Sequence, residues 1–103
     1  MRTKTYSVYI LSNFARIVFY IGVTNDLVRR ILQHRNGESI FSDKYNCHYL
    51  MYFEDYSDVR NAIAREKQLK NWKRAWKIQL IRKDNPDLID LSEGWFGKHA
   101  GTS

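Results

Sequence analysis

Two short apolar runs open the chain. Thr5 to Ser12 (TYSVYILS) is dense in β-branched and aromatic side chains and predicts a strand. Ile17 to Gly22 (IVFYIG) predicts a second, ending where the chain leaves the sheet. Asn13-Phe14-Ala15-Arg16 between them is short enough for a hairpin, although it lacks the Asn-Gly pair of a two-residue turn. Neither run alternates. Both are apolar on both faces, which calls for a sheet covered on each side by helices.

The period then changes. Thr24-Asn25-Asp26 offers helix-capping side chains and Asn36-Gly37 a stop, so a helix of about three turns lies between, with Leu27, Ile31 and Leu32 as apolar positions. Asn36 to Asn46 is polar and reads as a loop. Cys47 to Tyr56 (CHYLMYFEDY) predicts a third strand. Ser57 is placed to cap a helix from Asp58 to around Arg74, and Ala75 to Lys83 continues as a second helical segment closed by Asp84-Asn85-Pro86. The order is β-β-α-β-α-α, an α/β (α+β) chain with a small antiparallel sheet of about three strands flanked by helices. The folded domain is expected over residues 1–91, with 92–103 as a C-terminal tail, of which Trp95 and Phe96 could dock while the rest frays.

Length and composition narrow the class. One hundred and three residues, 44% of them hydrophobic and 15% aromatic, suffice for one core and are unlike a disordered chain. A lone cysteine, Cys47, excludes an internal disulfide, and no apolar run approaches a membrane span; a cytoplasmic, non-membrane protein is expected. Lysine and arginine number 17 against 11 acidic residues, a net charge of +6. Its distribution matters more than its size. Residues 60–83 hold Arg60, Arg65, Lys67, Lys70, Lys73, Arg74, Lys77, Arg82 and Lys83 against a single acid, Glu66. So one-sided a run points to phosphate binding in preference to a merely solvated face.

Helical spacing singles out three more residues. Leu27, Arg30, Ile31 and His34 share one face of the first helix, so Arg30 and His34 sit a turn apart beside the apolar stripe. In the second helix Val59, Ala62, Ile63, Glu66 and Leu69 form a stripe with a carboxylate in its middle. That is costly unless Glu66 is paired, for example with Lys70 at i+4, or ligates a cation. Each has an ordinary structural explanation. Together they suit a phosphodiester: carboxylate for a metal, guanidinium for phosphate, imidazole for a proton. Tyr9 and Tyr20, one in each of the first two strands, could add hydroxyls to the same pocket.

Ser7-Val8-Tyr9, followed by Tyr20-Ile21-Gly22, resembles the paired motif of the GIY-YIG nuclease superfamily. Leu27-Val28-Arg29-Arg30-Ile31-Leu32-Gln33-His34 is similar to that family's helix, and Arg65-Glu66-Lys67-Gln68-Leu69-Lys70-Asn71-Trp72-Lys73-Arg74 to its glutamate-bearing segment, particularly in the short stand-alone bacterial YhbQ-type group. Asn85-Pro86 and Asp90-Leu91 resemble the end of those proteins, so the likeness runs from about residue 4 to 91. The resemblance implies a metal-dependent endonuclease that hydrolyses DNA phosphodiester bonds with Mg²⁺ or Mn²⁺, linked to repair or recombination. It assigns Tyr9 to the attacking water and its proton, Tyr20 to the water or scissile phosphate, Arg30 to phosphate charge, His34 to proton movement and Glu66 to the metal. Nucleic-acid contacts are expected from Arg65, Lys67, Lys70, Lys73, Arg74 and Lys77. The late asparagine of many members stays unassigned between Asn71 and Asn85. Without an appended recognition module, structured or single-stranded DNA is expected as partner in preference to a sequence-specific duplex. The alternatives are a catalytically weak or inactive nucleic-acid-binding module of the same fold, and a protein adaptor using Trp72, Trp76 and Trp95.

Overall fold

The computed structural model describes residues 4–37 and 46–96. Its elements are β1 (Tyr6–Ser12), β2 (Phe19–Thr24), α1 (Leu27–Arg35), β3 (Tyr49–Tyr56), α2 (Val59–Asn71) and α3 (Arg74–Asp84). The order is the expected β-β-α-β-α-α. The strands form one antiparallel sheet in the order β2-β1-β3.

Apolarity on both faces of β1 follows from its central place. Val8 and Ile10 point to a layer with Ile21, Met51, Tyr52, Ala62, Leu69 and Ile81, which seats α2 and α3. Tyr9 and Leu11 point the other way, to Ile31, Cys47 and Leu50, with Leu27, Tyr20, Trp95 and Phe96 at the margin. A bulge adjusts the third strand. Ile10 faces Tyr52 and Leu11 faces Leu50, so Met51 is the extra residue, and Met51 and Tyr52 both reach the α2/α3 layer.

Several boundaries move. The hairpin loop takes in residues 13–18 because Asn13 supplies the turn: its Oδ1 accepts from the amides of Ile17 (2.8 Å) and Val18 (3.1 Å), while Arg16 takes a positive φ of 60°. β2 therefore begins at Phe19 and runs on to Thr24, so Gly22 lies inside the strand and not at its exit. Asp58, not Ser57, caps α2 by accepting from the Arg60 amide at 2.8 Å. α2 stops at Asn71, because Trp72 and Lys73 are extended, and α3 starts afresh at Arg74. The stripes differ in part. Leu32, Val59 and Ile63 are substantially exposed, whereas His34 and Ala62 face inward as the spacing predicts.

The end of the chain is tied down from within. Asn85 is buried; its Nδ2 donates to the carbonyls of Met51 (3.1 Å) and Ile89 (2.9 Å), and its Oδ1 accepts from the Ile89 amide. Asp90 accepts from the Leu50 amide and pairs with Arg35 at 2.8 Å, and Trp95 packs edge-on against Phe53. Residues 92–96 thus fold onto the α1 layer. The expected loop over 36–46 and the tail lie in large part outside the described residues. No helix among the described residues is long and apolar enough to cross a membrane.

Candidate active site

The site is organised by one cross-strand pair. Tyr9 on β1 lies opposite Gly22 on β2, and its ring passes directly over the glycine. A methyl group at Gly22 would overlap Tyr9 Cζ and Oη, so the glycine is what lets the phenol lie flat across the strand. The fully buried ring ends with Oη 3.0 Å from Nε2 of His34, which α1 presents from its inward face. Tyr20 completes the group: its ring is 6.3 Å from that of Tyr9 and 5.4 Å, edge to face, from the His34 imidazole. The periodicity that set Arg30 and His34 on the Leu27–Ile31 face is thereby realised.

Electrostatics fix the protonation states. Burial and the neighbouring Tyr20 push the Tyr9 phenol up to about 12, against the downward pull of a hydrogen bond and charge from Arg30; Glu66 adds a further upward push. His34, only 1% exposed, is driven down to about 4 by burial, then by Arg30 and His48. At neutral pH both groups are uncharged. The contact thus joins two neutral groups, and the imidazole accepts the phenolic proton in the tautomer that leaves Nε2 bare. His34 therefore touches the Tyr9 hydroxyl directly, and the charges of Arg30 on α1 and Glu66 on α2 bear on it, although α1 and α2 cover opposite faces of the sheet.

Glu66 is largely buried, with 14% of its side chain exposed, and pairs at 2.7 Å with the half-exposed Lys70 ammonium. The structural explanation foreseen for Glu66 is thus present. It also shows the carboxylate already holding a cation, on an arm that can swing out to solvent. Among the described residues no three His, Cys, Asp or Glu side chains gather into a metal cage. One carboxylate suits Mg²⁺ or Mn²⁺ only where water and substrate oxygens supply the other ligands, which is how such hard cations are commonly held. The donor set fits a metal of that kind and does not fit a tightly held structural one.

The other expected residues divide. Arg65 is engaged: Nε and Nη2 reach Glu54 at 3.0 and 3.3 Å, Nη1 donates to Gln68, and its guanidinium lies 5.2 Å from the Trp72 ring. Lys70 is taken by Glu66. Lys67, Lys73, Arg74 and Lys77 enter none of the ion pairs among the described residues, nor do Arg82 and Lys83. Asn85 is spent on backbone groups, and Asn71 is exposed at the end of α2. Sequence reasoning missed Gly22 as the bed of Tyr9, His48, whose Nδ1 bonds the His34 carbonyl at 2.8 Å, and Glu54 as the partner of Arg65. A glycine inside a strand and an acid inside an apolar one were the available signals.

Residues 5–79 match the family model described as the GIY-YIG catalytic domain. The chain belongs to the GIY-YIG nuclease superfamily. It is 38% identical over 63 residues to a UPF0213 protein of Clostridium perfringens, covering 60% of this chain and 68% of that one. It is 29% identical over 73 residues to a UPF0213 protein of Pediococcus pentosaceus, covering 70% and 77%. The solution structure of a UPF0213 protein from Bacillus halodurans shares the fold with a TM-score of 0.51, at 24% identity, over 81% of this chain and 88% of that one.

Proposed function

We propose that this protein is a divalent-metal-dependent DNA endonuclease that acts on structured or single-stranded DNA in the cytoplasm, in repair or recombination. The catalytic unit is residues 1–91, onto which residues 92–96 dock. The supporting observation is the buried Tyr9 Oη–His34 Nε2 hydrogen bond of 3.0 Å, with the Tyr20 ring beside both partners.

Water attacks phosphorus as the opposite P–O bond breaks. The water proton passes to Tyr9 Oη while Tyr9 gives its own proton to His34 Nε2, so the phenol never carries full charge. Arg30 turns to the phosphate and stabilises its growing negative charge. Tyr20, beside both rings, orients the water or a phosphate oxygen. The alkoxide leaving group takes a proton from solvent. Glu66, released by Lys70, would hold Mg²⁺ or Mn²⁺, which when bound supplies positive charge at the phosphate and lowers the pKa of its water.

The test is cleavage of labelled single-stranded, flapped and branched DNA with Mg²⁺ or Mn²⁺. Wild type is expected to nick; EDTA and Glu66→Ala should each abolish nicking. The Lys70–Glu66 pair favours one second reading, a binding module with a neutralised carboxylate. Salt-sensitive DNA binding with no cleavage by either protein under any metal would establish that reading instead.

A further inference from the structure

α2 and α3 meet across a groove on the face of the sheet opposite Tyr9, lined by Arg65, Trp72, Trp76, Gln79, Leu80 and Lys83. Its volume is about 620 Å³. Nothing in the proposed reaction uses it. Trp76 lies there half exposed, an unusual position for so large an apolar ring, with the Trp72 ring edge-on at 6.0 Å and Lys73 Nζ at 5.9 Å from its centre. Among the described residues no acid lines the groove. Lys73, Arg74, Lys77, Arg82 and Lys83, which enter no ion pair among the described residues, lie on the α2–α3 turn and α3, and Lys77 is held below its usual range by partial burial and by Arg74.

We infer that this groove is a second nucleic-acid site, which stacks an unpaired base of the substrate on Trp76 while Lys73 and Lys83 take the flanking phosphates. The inference rests on the endonuclease reading for the identity of the ligand. Charge selects a polyanion, and the exposed ring selects one with free π-faces. Duplex bases are already stacked and offer only their edges, so a single-stranded arm is the fitting form. A flap or frayed end could then be held on one face while the phosphodiester is cut on the other.

The experiment compares affinities of the full chain for a short oligothymidylate and for a blunt duplex by fluorescence anisotropy, with tryptophan emission followed in parallel. Wild type should show emission quenched by oligothymidylate. Trp76→Ala should lose most of that quenching and lower the single-strand to duplex affinity ratio about tenfold, within the range of one base–aromatic stack. Trp76→Phe should restore much of the ratio, and an unchanged melting temperature for both variants would exclude misfolding. An unchanged ratio in a folded Trp76→Ala, with wild type still binding duplex, overturns the second site alone. Wild type that binds neither DNA overturns the endonuclease reading with it. Loss of a dimer in Trp76→Ala, with no change in the ratio, assigns the groove to a second copy of the chain and also overturns the inference.

Discussion

Tyr9 and Gly22 constrain each other across two strands. A side chain on the glycine cannot be accommodated by a shift of a flexible tip, because what it meets is an aromatic ring fixed between β1, Tyr20 and His34. Gly22→Ala is therefore expected to destabilise the fold by about 1–3 kcal/mol, the usual cost of overpacking a filled interior. It should also displace Oη from His34, so cleavage falls by more than the loss of folded protein explains. Tyr9→Phe removes only the hydroxyl. It should fold, and its single-turnover cleavage rate should fall on the order of 10² to 10⁴-fold, the typical contribution of a positioned proton-transfer group. A rate within a few-fold of wild type would remove Tyr9 from the proton path.

His34 carries a pH signature of its own. Its pKa is about 4 in the fold against 6.5 for the free side chain, so between these values the unfolded chain binds a proton that the native protein does not. The stability it contributes is complete above pH 6.5 and is lost as pH falls toward 4, with a total on the order of 3 kcal/mol. Chemical denaturation at pH 7 and pH 5 should show wild type losing more stability than His34→Phe over that interval. Equal losses would mean that the imidazole titrates normally despite its burial.

At the scale of elements, one carboxylate joins the layer that bears Glu66 to the sheet. Glu54 on β3 accepts a 2.6 Å hydrogen bond from Tyr52, another from Tyr56, and a forked pair from Arg65 on α2. Burial alone would raise the Glu54 carboxyl, yet these donors outweigh burial and leave it below its usual range. Since Arg65 and Glu66 are neighbours on α2, the Glu54 fork also fixes the rotation of the helix that presents Glu66. Glu54→Ala should cost about 2 kcal/mol, less than a fully buried pair because both side chains keep some exposure. Glu54→Gln should recover part of the loss by keeping some of the hydrogen bonds. Denaturant midpoints of the three proteins measure this directly.

The same elements show what could be read from the chain. The order, the antiparallel sheet and the two-sided cover were legible because β1 is apolar on both faces from Val8 to Leu11, and His34 was legible as a polar group at a buried helical phase. Boundaries were not, since they rest on side-chain to backbone bonds at single residues: Asn13 extends the first loop, Asp58 takes the cap from Ser57, and Trp72-Lys73 breaks the helix without proline or glycine. Of the site, the residue types were visible. Their meeting was not, because Tyr9 is brought to His34 and Tyr20 by the β1–β2 register and by an absent side chain at Gly22. Arg65 looked like its basic neighbours because its partner, Glu54, is eleven residues away on another element.

For the molecule as a whole, the net charge of +6 understates the asymmetry. Of the nine cations in residues 60–83, Arg60, Arg65 and Lys70 are paired with Asp58, Glu54 and Glu66, which leaves Lys67, Lys73, Arg74, Lys77, Arg82 and Lys83 outside the ion pairs of the described residues. These six belong to α2, α3 and the turn between them, so their field is concentrated on one layer. Each phosphate they neutralise releases condensed counterions, which steepens the dependence of log affinity on log salt by about 0.7 for a single strand and about 0.9 for duplex. Lys73→Gln, Arg74→Gln and Lys77→Gln in one chain should therefore flatten the slope by roughly 2. Lys4→Gln removes an exposed charge from the start of the described chain, ahead of β1, and should leave the slope within error of wild type. If Lys4→Gln flattened it as much per charge as the triple variant, affinity would follow net charge alone and the α2/α3 face would have no special role. If only the triple variant does so, the polyanion lies along this layer, where a strand cut at Tyr9 can be held by the helix that carries Glu66.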